Sequence, residues 1–225
     1  MTQKLYSILV ICLFSNSLLF GQGDSAGYIR YKPEFDLKEG IYANFHQVIN
    51  NSPIPKSRII SNIGYDDQYF FTRILQSKKV YYYDSFGVKH ELQTKKIWGY
   101  SNNRSMYVNI NNGFYRINII GQICHFVANQ TTYNNYYPNS YYDYRYYPYG
   151  SRSSSYSTTE MRQYLLDFKT GNIMDYNVSS VEVLLMRDPE LHDEYASLKN
   201  KKKKQLKFLY IRRFNERNPL YFPVK

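Results

Sequence analysis

Cysteine is nearly absent from this sequence, since Cys12 and Cys124 are the two such residues among 225. Cys12 lies in an N-terminal segment with the pattern of a cleavable signal, so Cys124 is left without a partner and no internal disulfide is expected. This excludes the class of small exported domains that several disulfides hold together. Cys124 lies in the apolar run 121–127, and we expect it to be buried, as free cysteine usually is. The alternative is an exposed thiol that pairs between chains.

The common catalytic and nucleotide-binding motifs are also missing. The sequence has no G-x-S-x-G, no H-E-x-x-H and no glycine-rich phosphate loop. Its four histidines, His46, His90, His125 and His192, stand far apart without metal-ligand spacing. Cys124 and His125 are adjacent on a predicted strand, where neighbouring side chains point to opposite faces and cannot form a nucleophile–base pair. We therefore expect no catalytic residue, metal site or cofactor. A hydrolase with an unrecognised site is the alternative.

Long hydrophobic runs are confined to the N-terminus. Residues 1–22 combine a lysine, an apolar stretch and small residues near the end, which is the pattern of a secretory signal peptide. The apolar stretch 5–20 includes several polar residues and is shorter than the roughly 20 apolar residues of a membrane-spanning helix. An uncleaved anchor is the less favoured interpretation. We expect residues 23–225 to form a single exported domain with no transmembrane span in the mature chain.

Negative charge is scarce in one C-terminal segment. The formal net charge is +11, and residues 199–217 carry nine basic side chains against Glu216. The candidate anion contacts are Lys201, Lys202, Lys203 and Lys204. The run indicates either a solvated helix face or a contact with anionic lipid or polysaccharide. Nucleic acid is not expected as a partner of an exported protein.

Alternating aromatic and β-branched residues dominate residues 57–128 and return after residue 160. Strands are predicted at 40–45, 69–76, 79–83, 96–100, 106–110, 114–119 and 122–128. Asn112 and Gly113 are expected to supply the two positive φ angles of a tight hairpin turn. The pattern predicts an α+β fold that is mainly β: an antiparallel twisted sheet or a partly open barrel over residues 23–176.

The apolar spacing becomes helical over residues 179–217. Ser179 and Glu182 fit a capping box, and Asp188 followed by Pro189 fits the start of a second helix. Two C-terminal helices are therefore predicted. The residues expected to pack on one face of the sheet are Leu184, Leu185, Leu191, Tyr195 and Leu198.

Residues 129–159 interrupt the β pattern with a tyrosine-rich insertion. Nine of the seventeen residues from 133 to 149 are tyrosine. A long low-complexity loop is either a variable insertion or a functional surface, and tyrosine offers large contact area at low entropic cost. The candidate partner contacts are Tyr136, Tyr137, Tyr141, Tyr142, Tyr146 and Tyr147.

Several segments spread over most of residues 23–225 carry a family resemblance. They are EGIYANF (39–45), NNSP (50–53), IWGY (97–100), GFYRI (113–117), QYLLDF (163–168), DPEL (188–191) and FNERNPLY (214–221). These segments resemble an uncharacterised family of small exported proteins from Bacteroidota. The resemblance implies export from a Gram-negative cell, to the periplasm or the outer-membrane surface, and implies no activity.

The sequence as a whole favours a non-enzymatic cell-envelope protein that acts as an interaction or structural module. Its partner would be an envelope protein, a glycan or an anionic lipid. An alternative is electrostatic binding of anionic lipid or polysaccharide through the basic C-terminal helix.

Overall fold

An eight-stranded antiparallel sheet forms the centre of the protein. The computed structural model describes residues 27–135 and 155–224. The strands are β1 (Tyr28–Arg30), β2 (Gly40–Tyr42), β3 (Ile54–Pro55), β4 (Ile59–Ile60), β5 (Lys79–Tyr83), β6 (Lys89–Gln93), β7 (Gly99–Asn102), β8 (Ser105–Ile110), β9 (Gly113–Ile119), β10 (Ile123–Asn135), β11 (Ser155–Asp167), β12 (Ile173–Asp175) and β13 (Tyr221–Pro223). The helices are α1 (Phe45–Ile49), α2 (Phe70–Ile74), α3 (Val178–Leu185), α4 (Pro189–Ala196) and α5 (Asn200–Arg217), with 3-10 turns at Lys56–Arg58 and Thr94–Lys96.

The main sheet has the strand order β12-β11-β10-β9-β8-β7-β2-β3. Two smaller sheets accompany it, one of β4, β5 and β6 and the other of β1 and β13. Neighbouring strands are antiparallel throughout, and the main sheet is not closed into a barrel. The predicted mainly β, α+β fold is therefore confirmed in its open-sheet form. None of the helices in the described residues is long and apolar enough to cross a bilayer.

Strand alternation in β10 and β11 builds two cores on opposite faces of the sheet. Phe126 and Leu166 face a core that α1 and β13 also enter. Ile123 and Leu165 face the C-terminal helices instead. The five side chains predicted to pack there, Leu184, Leu185, Leu191, Tyr195 and Leu198, all belong to this second core or pack against it.

The C-terminal helices differ from the prediction in number and in one cap. The predicted second helix is two helices, α4 and α5, separated at Ser197–Lys199. The break lets Tyr210 of α5 return against Tyr195 of α4, with ring centroids 4.8 Å apart. Asn177, and not Ser179, caps α3 by accepting a hydrogen bond from the Ser180 amide. Asp188 caps α4 as predicted.

The strand predicted over residues 69–76 is wrong, because this segment contains α2. Phe70, Phe71, Ile74 and Leu75 are all buried. Their spacing of one, three and one residues fits a helix face and not the alternation of a strand. These residues form part of a third core between the main sheet and the β4-β5-β6 sheet.

Strand boundaries are also shifted from their predicted positions, and the strand predicted at 96–100 is β7 at Gly99–Asn102. The β8–β9 hairpin turns on Asn111 and Asn112, with φ angles of 52° and 65°, and Gly113 already pairs with Ile110. The strand predicted at 40–45 ends at Tyr42, because Asn44 accepts from an amide of the next turn and starts α1.

The predicted tyrosine-rich insertion is shorter than residues 129–159. β10 and β11 pair without interruption from Ile123↔Asp167 to Asn135↔Ser155. The hydroxyl of Tyr164 donates to Oε1 of Gln130 at 3.1 Å. The hairpin arms therefore occupy 129–135 and 155–159.

Cys124 is fully buried, as predicted. Its thiol donates to the carbonyl of Gly121 at 3.2 Å, and burial raises the pKa of Cys124 to about 12. Because the reactive thiolate is scarce and shielded, we expect N-ethylmaleimide to leave the Cys124 peptide unmodified in the native protein and to modify it fully in guanidinium chloride, as read by mass spectrometry. Rapid labelling of the native protein at Cys124 would contradict this.

Candidate functional site

The structure describes one of the two sets of candidate contacts, the lysines, and not the other, the tyrosines. All six candidate tyrosines, from Tyr136 to Tyr147, fall outside the described residues. The lysine run lies in the first turns of α5. Lys201, Lys202 and Lys204 are exposed. Lys203 points inward, where its ammonium forms an ion pair with Glu182.

A large concave surface of the described residues lies elsewhere, between the third core and the β7–β8–β9 strands. Its volume is about 870 Å³, which is within the usual range of ligand sites. We call it the aromatic groove. Its lining residues are Thr72, Leu75, Gln76, Ser77, Lys78, Lys79, Gln93, Thr94, Lys95, Tyr100, Tyr107, Asn112 and Phe114.

Stacked tyrosines form one wall of the aromatic groove. Tyr100 and Tyr107 are cross-strand partners in β7 and β8, and their rings lie 4.4 Å apart at an interplanar angle of 4°. Phe114 of β9 lies 5.6 Å from the Tyr100 ring, and Phe71 stacks behind it at 5.3 Å. Burial raises the pKa of Tyr100 to about 12. Burial therefore disfavours the ionised form of its hydroxyl still further.

Three lysines border the aromatic wall. The ammonium of Lys79 lies 2.8 Å from Glu91. Lys78 and Lys95 are exposed, and neither forms an ion pair within residues 27–135 and 155–224. Among the described residues that line the groove there is no carboxylate. The groove is therefore electropositive and favours an anionic ligand.

Thr94 holds the lysine rim in place. Its amide donates to the carbonyl of Lys78 at 3.1 Å, and its hydroxyl donates to the carbonyl of Ser77. The side-chain amide of Asn109 donates to the carbonyl of Ile97 at 2.9 Å. These hydrogen bonds connect the region of the 3-10 turn at Thr94–Lys96 to neighbouring segments of the protein. The backbone positions of Lys78 and Lys95 are therefore fixed.

No residue of the aromatic groove was predicted to be a functional contact, although Asn112 was expected in the hairpin turn and Tyr100 and Phe114 lie in segments of the family resemblance. The lining comes from segments as far apart as Thr72 and Phe114, and no short motif contains them. One signal was present, because IWGY at 97–100 and the hairpin at 106–119 both contribute aromatic residues. The sequence does not give the register of β7 against β8, which places Tyr100 beside Tyr107.

The histidine and cysteine candidates form no reactive cluster in the described part of the chain. His125 lies between Tyr176 and Phe208 and its Nε2 is 3.0 Å from Oε1 of Gln163. Cys124 faces the opposite core. Among residues 27–135 and 155–224 there is no group of three or more His, Cys, Asp or Glu placed to hold a metal ion.

No family model, curated protein or solved structure matches this chain significantly. The resemblance to exported Bacteroidota proteins therefore stays a prediction.

Proposed function

We propose that the protein is an exported, non-enzymatic binding module of the cell envelope, and that the aromatic groove is its ligand site. The observation that carries this proposal is the combination of stacked tyrosines, unpaired lysines and no carboxylate in one groove of about 870 Å³. The export part rests on the signal-like pattern of residues 1–22.

The ligand class that suits the groove is an acidic glycan. A sugar ring presents C–H groups that pack on the negative face of an aromatic ring. The side chains of Thr72, Gln76 and Gln93 offer hydrogen bonds to hydroxyl groups. Lys78 and Lys95 act as point charges for a carboxylate or sulfate group. A neutral glycan would leave this charge unused.

Catalysis is the less favoured use of the groove. General acid–base chemistry needs a titratable group within hydrogen-bond reach of the substrate. None of the lining residues, all of which belong to the described part of the chain, is Asp, Glu, His or Cys. The lining does hold titratable lysines and tyrosines, but burial raises the pKa of Tyr100 to about 12, which makes it a poor acid or base near neutral pH. This lining supports recognition better than hydrolysis.

Calorimetric titration of the exported protein with an acidic uronate oligosaccharide, and with a neutral glucose oligosaccharide of equal length, tests the proposal. We expect binding of the acidic oligosaccharide, weakened about tenfold or more in Lys78→Gln/Lys95→Gln through loss of charged hydrogen bonds. Tyr107→Leu should also weaken binding, because it removes a stacking face while keeping apolar volume.

The matched control is Lys32→Gln/Lys169→Gln, which removes the same charge from exposed positions outside the groove. It should bind like the wild type. Equal affinity for the acidic and neutral oligosaccharides, or unchanged affinity in the groove variant, would overturn the proposal.

A further inference from the structure

The solvent side of α5 is a second surface with its own chemistry. Lys203, Lys207, Tyr210 and Phe214 lie on the side of the helix that faces the protein. We call the opposite side the outer face of α5. Its exposed residues are Lys201, Lys202, Lys204, Gln205, Phe208, Leu209, Arg212 and Glu216.

The nine basic residues of 199–217 fall into two groups according to their contacts within the protein. Lys203 pairs with Glu182, Arg213 pairs with Glu194 at 2.6 Å, and Arg217 pairs with Asp188 and Glu190. Lys207 donates to the carbonyl of Tyr176 at 3.0 Å and lies over its ring. These four side chains fasten α5 to α3, α4 and the segment after β12, and they are engaged within the fold.

Apart from Lys207, five basic residues of 199–217 form no ion pair within the described chain: Lys199, Lys201, Lys202, Lys204 and Arg212. The last four belong to the outer face of α5, where Glu216 is the single acid and lies at the C-terminal end. The outer face therefore carries a net charge of +3. Ion pairs, and for Lys207 a hydrogen bond, account for the positions of the four inner cations. The four cations of the outer face form no such ion pair within the described chain.

Apolar side chains lie among the free cations. Leu209 is 46% exposed. Phe208 is 36% exposed, and its ring also contacts His125 and lies under the Arg212 guanidinium. Phe208 also borders a shallow depression of about 290 Å³, where Ile119 and Ile120 lie beside Arg212. The apolar pair and the cations share the solvent side of α5, because its other side packs Tyr210, Ile211 and Phe214 against the protein.

We propose that the outer face of α5 docks the protein on an anionic lipid surface. Lys201, Lys202 and Lys204 contact the lipid phosphates, while Phe208 and Leu209 enter the boundary between headgroups and acyl chains. A soluble polyanion would engage the lysines and leave the apolar pair in water, so the lipid surface is the better match. The docking is independent of the aromatic groove.

Vesicle co-sedimentation of the exported protein, with its N-terminus checked by mass spectrometry, tests the docking. The probes are phosphatidylcholine vesicles with and without phosphatidylglycerol. Binding should require phosphatidylglycerol and fall steeply as salt rises. Lys201→Gln/Lys202→Gln/Lys204→Gln should lower the partition coefficient about fivefold per lysine, or about a hundredfold in total. Lys32→Gln/Lys38→Gln/Lys169→Gln removes equal charge elsewhere and should have a much smaller effect.

The apolar contribution is tested with a second pair of variants. Leu209→Ser should lower the partition coefficient about tenfold, because less apolar surface leaves water. Val183→Ser changes an exposed apolar residue of α3 that is outside the outer face and should leave binding unchanged. Equal losses in the two lysine triples would overturn the proposal, as would equal binding to pure phosphatidylcholine. Full binding by Leu209→Ser would indicate a soluble polyanion as the partner and overturn the lipid assignment.

Discussion

Phe126→Ala is expected to lower the free energy of unfolding by about 3–5 kcal/mol, the usual cost of truncating a fully buried phenylalanine. The Phe126 side chain has no exposed surface, and its ring stacks on Tyr164 at 5.5 Å. It lies in the core that joins β10 and β11 to α1 and β13. The substitution reduces the buried apolar area and leaves a cavity, and both effects lower the free energy of unfolding. Urea denaturation followed by circular dichroism measures the change.

Phe86→Ala is the matched control, because it makes the same chemical change at a side chain that is 90% exposed. Phe86 lies in the turn between β5 and β6. Its truncation should change the free energy of unfolding by less than about 0.5 kcal/mol. Equal losses in the two variants would contradict the placement of Phe126 in the core.

Features set by neighbouring residues were predictable from the sequence. Residues 79–83 form a strand as predicted, and the following turn is fixed by Asp84, whose carboxylate accepts from the amides of Phe86 and Val88. Asp188 caps α4 as expected. In each case the deciding contact lies within a few residues, so composition and spacing were sufficient.

Features decided by distant residues were not predictable in this way. The Phe70–Ile74 helix has aromatic residues typical of strands, and it is helical because its buried face packs between two sheets. The break before α5 goes together with the packing of Tyr210 on Tyr195. A single-sequence pattern contains neither contact.

The candidate sites show the same division. The lysine run was visible in the sequence, but only the fold separates Lys203, which pairs with Glu182, from the exposed lysines beside it. The aromatic groove was not visible, because the register between β7 and β8 creates the Tyr100–Tyr107 stack. Sequence therefore indicated where charge accumulates, and topology determined which charges are free.

Arg187→Met is the second substitution with a large expected effect. The guanidinium of Arg187 lies 2.9 Å from a carboxylate oxygen of Asp167, and it also lies over the Phe214 ring at 5.2 Å. The pair links the end of β11 to the residues after α3. The Asp167 side chain is 11% exposed and that of Arg187 is 25% exposed, so removing the arginine leaves a mostly buried carboxylate without its counter-ion.

Two opposing effects set the size of the loss. An orphaned buried charge costs about 3–5 kcal/mol. Asp167 keeps its hydrogen bonds from Lys169 and Thr170. In addition, Nη2 of Arg187 is buried without a hydrogen-bond partner among the described residues, and the substitution removes that unsatisfied group. We therefore expect a loss of about 2–3 kcal/mol in urea denaturation.

Arg162→Met and a double variant separate the orphaned charge from the lost packing. Arg162 forms an exposed ion pair with Glu160, and its replacement should cost less than about 1 kcal/mol. Asp167→Asn/Arg187→Met removes both charges of the buried pair. If the orphaned carboxylate dominates, the double variant is more stable than Arg187→Met alone. If the double variant is instead less stable than Arg187→Met, the packing of Arg187 on Phe214 and the hydrogen bond from Thr170 to Asp167 dominate. The ion pair then contributes little to joining the sheet to the helices.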